Sequence, residues 1–125
     1  MHVPGFREQL ERPGSRFEAV FAVGELRTAA RRQDRALHLA GRWAAKEAFI
    51  KAWSQAIYGR PPLIDPDGVD FTEIEIRPDR WGRVAVELHG EVAQVVRASV
   101  GEIRTSLSIS HDGDYAMATC LLEVS

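Results

Sequence analysis

Both lysines of the chain sit in one run, Gly41-Arg42-Trp43-Ala44-Ala45-Lys46-Glu47-Ala48-Phe49-Ile50-Lys51-Ala52-Trp53, although arginines number fourteen. Lys46 and Lys51 flank Glu47. At about 100° per residue, Trp43, Glu47, Lys51 and Ser54 share a helical sector roughly 80° wide, so a carboxylate and an ammonium project together from an otherwise apolar helix. Arg42 and Lys46 pair on another face. A solvated i,i+4 Glu-to-Lys pair, worth about 0.2–0.5 kcal/mol, is the plain interpretation. Against it stands the setting among Trp43, Phe49, Ile50 and Trp53, because charges on a mostly buried helix need a reason. A second candidate is Ser106-Leu107-Ser108-Ile109-Ser110-His111-Asp112-Gly113. Period two sends the three serines to one side and Leu107 and Ile109 to the other, with His111 at the strand end. Hydroxyls ending in a His and a Gly turn suit phosphate oxygens, and a solvated hydroxyl face is the alternative. As a nucleophilic Ser-His pair the segment is poor, since nothing sets a base against a nucleophile.

The elements that must hold these groups can be read from breakers and period. A helical patch over Gly5–Glu11 is stopped by Arg12-Pro13-Gly14-Ser15. A second run from Arg16 through Arg35, broken near Gly24, follows, with Ser15 and Glu18 in capping-box spacing. From Ala36 to about Tyr58 there is no Pro and one Gly, which makes this the longest helix candidate. A Pro- and Gly-rich loop runs to Gly68. Alternation then predicts strands over Thr72–Arg77 and Val84–Leu88 around a turn at Pro78–Gly82, an amphipathic helix over Gly90–Val100, and strands at about 103–110 and 115–123 joined through Asp112-Gly113. Helices followed by ββαββ predict an α+β fold with an antiparallel sheet in a single domain over 1–125, the long helix central.

The length of 125 residues suits one domain. The net charge of −2 hides an asymmetry: residues 1–60 carry 11 basic and 6 acidic groups, residues 61–125 carry 5 and 12. A basic half suits a phosphate-bearing ligand or an acidic protein, unless folding interleaves the two halves. An arginine-rich nucleic-acid binder is disfavoured by the negative total and the lack of a recurring aromatic-basic motif. The one cysteine, Cys120, reads as a small core residue and fits a reducing cytoplasm. No stretch approaches the roughly 18 apolar residues of a membrane span, and no leader pattern opens the chain.

Together, AGRWAAKEAFIKAW, DFTEIEIRPDRWGRVAVELHG and SLSISHDGDYAMATCLL, in that order and spacing, resemble the holo-acyl-carrier-protein synthases, a group of 4′-phosphopantetheinyl transferases. The resemblance runs from Val3 to Leu122. It implies transfer of the phosphopantetheine arm of coenzyme A to a serine of apo acyl carrier protein, free or part of a fatty acid synthase, with release of adenosine 3′,5′-bisphosphate. It also implies Mg²⁺ and a homotrimer with active sites at its interfaces, while composition and patterning point to no membrane or nucleic-acid partner. Phosphoryl transfer needs charge neutralisation and alignment, and Mg²⁺ takes one or two carboxylates plus phosphate oxygens. On the resemblance, Glu47 is then the metal-binding and catalytic carboxylate and Lys51 the second catalytic group. Arg42, Lys46, Ser110 and His111 contact coenzyme A, and Arg7, Arg12, Arg16 and Arg27 are docking candidates for the acidic carrier. One departure stands out. The family opens with a strand bearing Gly-x-Asp, whose Asp is the other Mg²⁺ ligand, and the register puts that Asp two positions before Met1. The expectation is a truncated start rather than weak Mg²⁺ binding through Glu47 alone, with encoding DNA that reads in frame upstream through Gly-x-Asp; an in-frame stop just before Met1 would defeat it. A non-catalytic homologue that binds coenzyme A or the carrier is the competing expectation.

Overall fold

The computed structural model describes residues 1–125, the side chain of Pro66 excepted. Helix α1 (Val3–Glu11) starts where His2 accepts a hydrogen bond from the Gly5 amide, and ends because Arg12, preceding Pro13, turns extended. Ser15 accepts from the Phe17 amide at 3.2 Å, but the element it opens is only a 3₁₀ turn, Phe17–Val20. Glu18 does not complete a capping box there, since its carboxylate lies 2.6 Å from Arg35. Helix α2 (Val23–Ala30) has Gly24 inside its first turn, so the break falls at Phe21-Ala22 rather than at Gly24. Its start is held by Glu25, which accepts from the Ala22 amide at 2.8 Å. Helix α3 (Arg35–Ala56) is capped by Asp34, which accepts from the Leu37 amide.

The remaining elements are β1 (Ile74–Pro78), β2 (Val84–Leu88), α4 (Gly90–Val100), β3 (Ile103–Asp112) and β4 (Tyr115–Val124). The expected start of the first strand at Thr72 is instead a 3₁₀ turn, Phe71–Glu73. Asp70 accepts from both the amide and the hydroxyl of Thr72, and this local bond outcompetes the ladder. β1 pairs antiparallel with β2, Ile76 opposite Val86, and β3 with β4, Ile109 opposite Ala118. The fold is α+β as the pattern predicts, but the antiparallel sheet is divided into two two-stranded ladders. The β3–β4 loop is Gly113-Asp114, with Gly113 at φ +57°, so the glycine leads the turn as a two-residue loop with one positive φ requires.

Helix α3 threads both hydrophobic clusters. Leu39 and Ala40 pack with Val3, Phe6, Phe21 and Ala116; Phe49 and Trp53 pack with Ile74, Val92 and Val96. Each such large side chain contributes about 1.5–3 kcal/mol by leaving water. Between the two clusters the same helix buries Arg42 and Lys46. Cys120 lies half-buried against the second cluster, where burial pushes its thiol pKa up. No described helix is long and apolar enough to cross a membrane.

Candidate functional site

Helix α3 sorts its charged residues onto two faces. On the outer one, Trp43 sits edge-on to Phe71, ring centroids 4.8 Å apart, and to Phe17 at 5.6 Å. Glu47 follows one turn later, half-buried beside this aromatic wall, and Lys51 and Ser54 follow on the exposed surface. The plain i,i+4 pair is absent: among the described residues neither Glu47 nor Lys51 makes an ion pair or a side-chain hydrogen bond. The stripe thus carries a carboxylate and an ammonium that no described residue neutralises. Glu47 suits a hard cation that takes its other ligands from phosphate oxygens and water.

The inner face holds different partners. Lys46 is fully buried, 2.8 Å from Glu25 and 2.7 Å from each of the Phe71 and Ile74 carbonyls. This corrects the expectation that Lys46 reaches coenzyme A: its three N–H groups already have three acceptors inside the chain, and no phosphate has access to them. Burial pulls its ammonium pKa down, partly offset by Glu25. Arg42, one turn earlier, is 9% exposed and unpaired among the described residues, and desolvation lowers its pKa as well. It lines a cavity of about 210 Å³ with His38, Thr28 and Pro78. Burial, then Arg42, Arg32 and His111, hold His38 at a pKa of about 4.

His111 comes to this face from the end of β3. A Cβ at Gly41 would meet Ile109 at 3.0 Å and His111 at 3.1 Å, so the missing side chain lets the imidazole rest on the helix backbone. Arg42, His38 and His111 thus gather, while Ser110, next to His111 in sequence, lies exposed opposite Met117. By helical geometry Arg42 and Glu47 point about 140° apart around α3, so the two groups of expected site residues are not brought together within one chain. Of the docking candidates, Arg7 is engaged with Asp34 at 3.0 Å and Arg12 with Glu8 at 3.8 Å. Arg16 and Arg27 are exposed, and Arg12 and Arg16 border one shallow depression with Phe17 and Val20. The one described cluster of three possible metal ligands is Glu75, Glu87 and His89, apart from Glu47. It is already internally bonded, Glu75 to His89 and Glu87 to Arg77, each at 2.8 Å. Sequence reasoning missed Glu25 and His38. Lys46 on a core-facing helix position calls for a buried counter-charge, and His38 lies one turn before Arg42, so both signals were present.

The 4′-phosphopantetheinyl transferase superfamily matches residues 1–120. The chain belongs to that superfamily, in its holo-[acyl-carrier-protein] synthase branch. A holo-[acyl-carrier-protein] synthase of Corynebacterium glutamicum is 61% identical over 99% of this chain and 93% of its own length. The structure of an ACPS–CoA complex from Chronobacterium ammoniagenes superposes with a TM-score of 0.96 at 64% identity, covering all of this chain and 93% of that one. The acyl carrier protein synthase of Mycobacterium tuberculosis is more distant, with a TM-score of 0.77 at 37% identity over all of this chain and 92% of that one. The phosphopantetheinyl transferase fold is therefore the frame in which the two faces of α3 act.

Proposed function

We propose that this chain transfers the 4′-phosphopantetheine group of coenzyme A to a serine hydroxyl of an apo acyl carrier protein, giving the holo carrier and adenosine 3′,5′-bisphosphate. The observation that carries the reading is the unneutralised Glu47–Lys51 stripe beside the Trp43–Phe71 wall, in a chain 64% identical to a synthase solved with CoA. The serine oxygen attacks the phosphorus that bears the pantetheine arm, the bond from that phosphorus to the bridging oxygen of the leaving nucleotide breaks, and the serine proton passes to solvent. Glu47 is a carboxylate that would hold Mg²⁺ together with phosphate oxygens and water. When bound, the ion supplies charge neutralisation and alignment, which this reaction needs more than covalent help. Lys51, one turn along, stabilises charge on the departing phosphate. Trp43 and Phe71 keep water from one side of Glu47.

Arg42, Ser110 and His111 act on coenzyme A phosphates from a neighbouring copy, because they lie around the helix from Glu47. A trimer supplies that neighbour. In support, the outer face of β3–β4 exposes Tyr115, Met117 and Leu121 at 54–65% beside a row of serines, an apolar patch of the kind that marks interfaces. Arg12, Arg16 and Arg27 offer charge to an acidic carrier, while Arg7 is engaged with Asp34 at the cap of α3. A cytoplasmic site of action accords with the lone half-buried thiol of Cys120.

The test is incubation with apo carrier protein, coenzyme A and Mg²⁺, read by the mass of the carrier. Expected are a phosphopantetheinyl adduct and its loss in Glu47→Ala. Binding of coenzyme A without any adduct would overturn the enzymatic reading. Leu121→Glu is expected to lower the sedimenting mass and the activity together.

A further inference from the structure

The Glu25–Lys46 pair has side chains 1% and 0% exposed, and it lies immediately behind the residue to which the reaction is assigned. Two ions lose their hydration when buried, and well-packed apolar residues in their place often leave stability unchanged or raised. What an apolar pair cannot supply is fixed hydrogen bonds. Lys46 donates to the carbonyls of Phe71 and Ile74, and Glu25 accepts from the amides of Ala22 and Ile76 as well as from Lys46. Four separate backbone points, at the start of α2, in the 3₁₀ turn and on β1, are thereby tied to one residue of α3.

The next residue is Glu47. The ring of Phe71, whose carbonyl Lys46 holds, packs edge-on to Trp43, one turn before Glu47 on its stripe. We propose that the buried Glu25–Lys46 pair is a positioning device for Glu47, fixing the Trp43–Phe71 wall and the helix segment from which this carboxylate would hold the metal. The inference rests on the reading of Glu47 given above. Lys46 and Glu25 touch no substrate; they act through the wall and the helix. Groups that orient a metal ligand without touching the metal typically change metal affinity or activity by about 10–100-fold when replaced.

The test uses the full chain with Glu25→Met and Lys46→Met together, and separately with Glu25→Gln, which keeps volume and removes the charge. Thermal unfolding checks the fold. Calorimetry then measures coenzyme A affinity with and without Mg²⁺, and turnover of apo carrier gives kcat. Expected is metal-free coenzyme A affinity within about threefold of the parent, with the Mg²⁺-dependent gain in affinity and kcat each down by about tenfold or more. A folded variant that keeps the parent's Mg²⁺ gain and kcat overturns the proposal. So does one whose affinity falls equally with and without Mg²⁺, which would make the pair a support for the whole pocket. If the double variant does not fold, Glu25→Gln decides by the same criteria. Glu47→Gln separates the two levels: a full Mg²⁺ gain in that variant defeats the reading of Glu47, whereas its loss together with an intact gain in the pair variants defeats only the positioning role.

Discussion

Lys46 and Lys51 share a helix and lie five residues apart, yet one is sealed between two hydrophobic clusters and the other stands in solvent without a partner. Glu25 and Glu47 repeat the contrast. Glu25 accepts from two backbone amides and a lysine, while Glu47 makes no ion pair among the described residues. The inner pair satisfies itself, so it fixes structure. The outer pair is left unsatisfied among the described residues, and the proposed function assigns it to a metal ion and phosphates. Identical residue types thus take opposite roles according to which side of α3 is covered by α2 and β1.

Breaking the inner side should have the largest effect. Lys46→Met alone leaves Glu25 buried without its counter-ion and is expected to destabilise by about 3–5 kcal/mol. That corresponds to a fall in Tm of about 10–20 °C by thermal unfolding. Adding Glu25→Met removes the unpaired charge and should return part of it, the four backbone groups that lose their partners keeping the double variant below the parent; a double variant no more stable than the single would show that the charge is not what the single variant exposes. Breaking the outer side should do the reverse. Glu47→Gln is expected to lower kcat by about 100-fold or more, with Tm within about 2 °C of the parent, as for a change outside the core. Lys51→Ala should follow, with a fall of about tenfold or more. A large drop in Tm for either variant would place it with Lys46.

Much of this was legible in the residues. The long helix, both hairpins and the Trp43–Glu47–Lys51–Ser54 stripe follow from period and breakers, which depend on local geometry alone. What was not legible is which helical face another element covers. Spacing sets Arg42 and Lys46 together on one face, as it does Glu47 and Lys51 on another, and only the family resemblance directs the first pair to coenzyme A. Only the packing of Glu25 from α2 and of two carbonyls near β1 distinguishes the two sides. The start of β1 was misplaced for a similar reason: alternation at Thr72 and Glu73 is real, but the Asp70 side chain diverts the backbone into a turn. The single expected sheet became two ladders because strand pairing beyond each hairpin leaves no mark in local sequence.

The contact of His111 with α3 joins the two halves of the comparison, and Gly41→Val tests it. The added side chain has Ile109 and His111 at 3.0–3.1 Å from its first carbon, so one of them must move. Overpacking of this kind is expected to destabilise by about 1–3 kcal/mol, and displacing His111 should weaken coenzyme A binding by calorimetry. Unchanged affinity in both Gly41→Val and His111→Ala would remove His111 from the site.

The smallest effect expected is confined to acid. The folded-state pKa of His38 is depressed to about 4 from 6.5, chiefly by burial and then by Arg42, Arg32 and His111. The folded chain therefore binds fewer protons than the unfolded one between these values, so the stability this neutral imidazole supports is present above about pH 6.5 and is lost as pH falls toward 4. The other acid-sensitive groups differ in window: Asp34, held low first by its hydrogen bond from Arg7, matters only as pH falls below the usual 3.8 of a carboxyl. His38→Gln is accordingly expected to flatten the decline of Tm between pH 6.5 and 4 while leaving the steeper loss at lower pH in place. An equal decline in parent and variant over that interval would mean that the imidazole reaches water and protonates at no cost to the fold. The buried face of α3 would then be open at its Arg42 end, unlike the sealed end at Lys46.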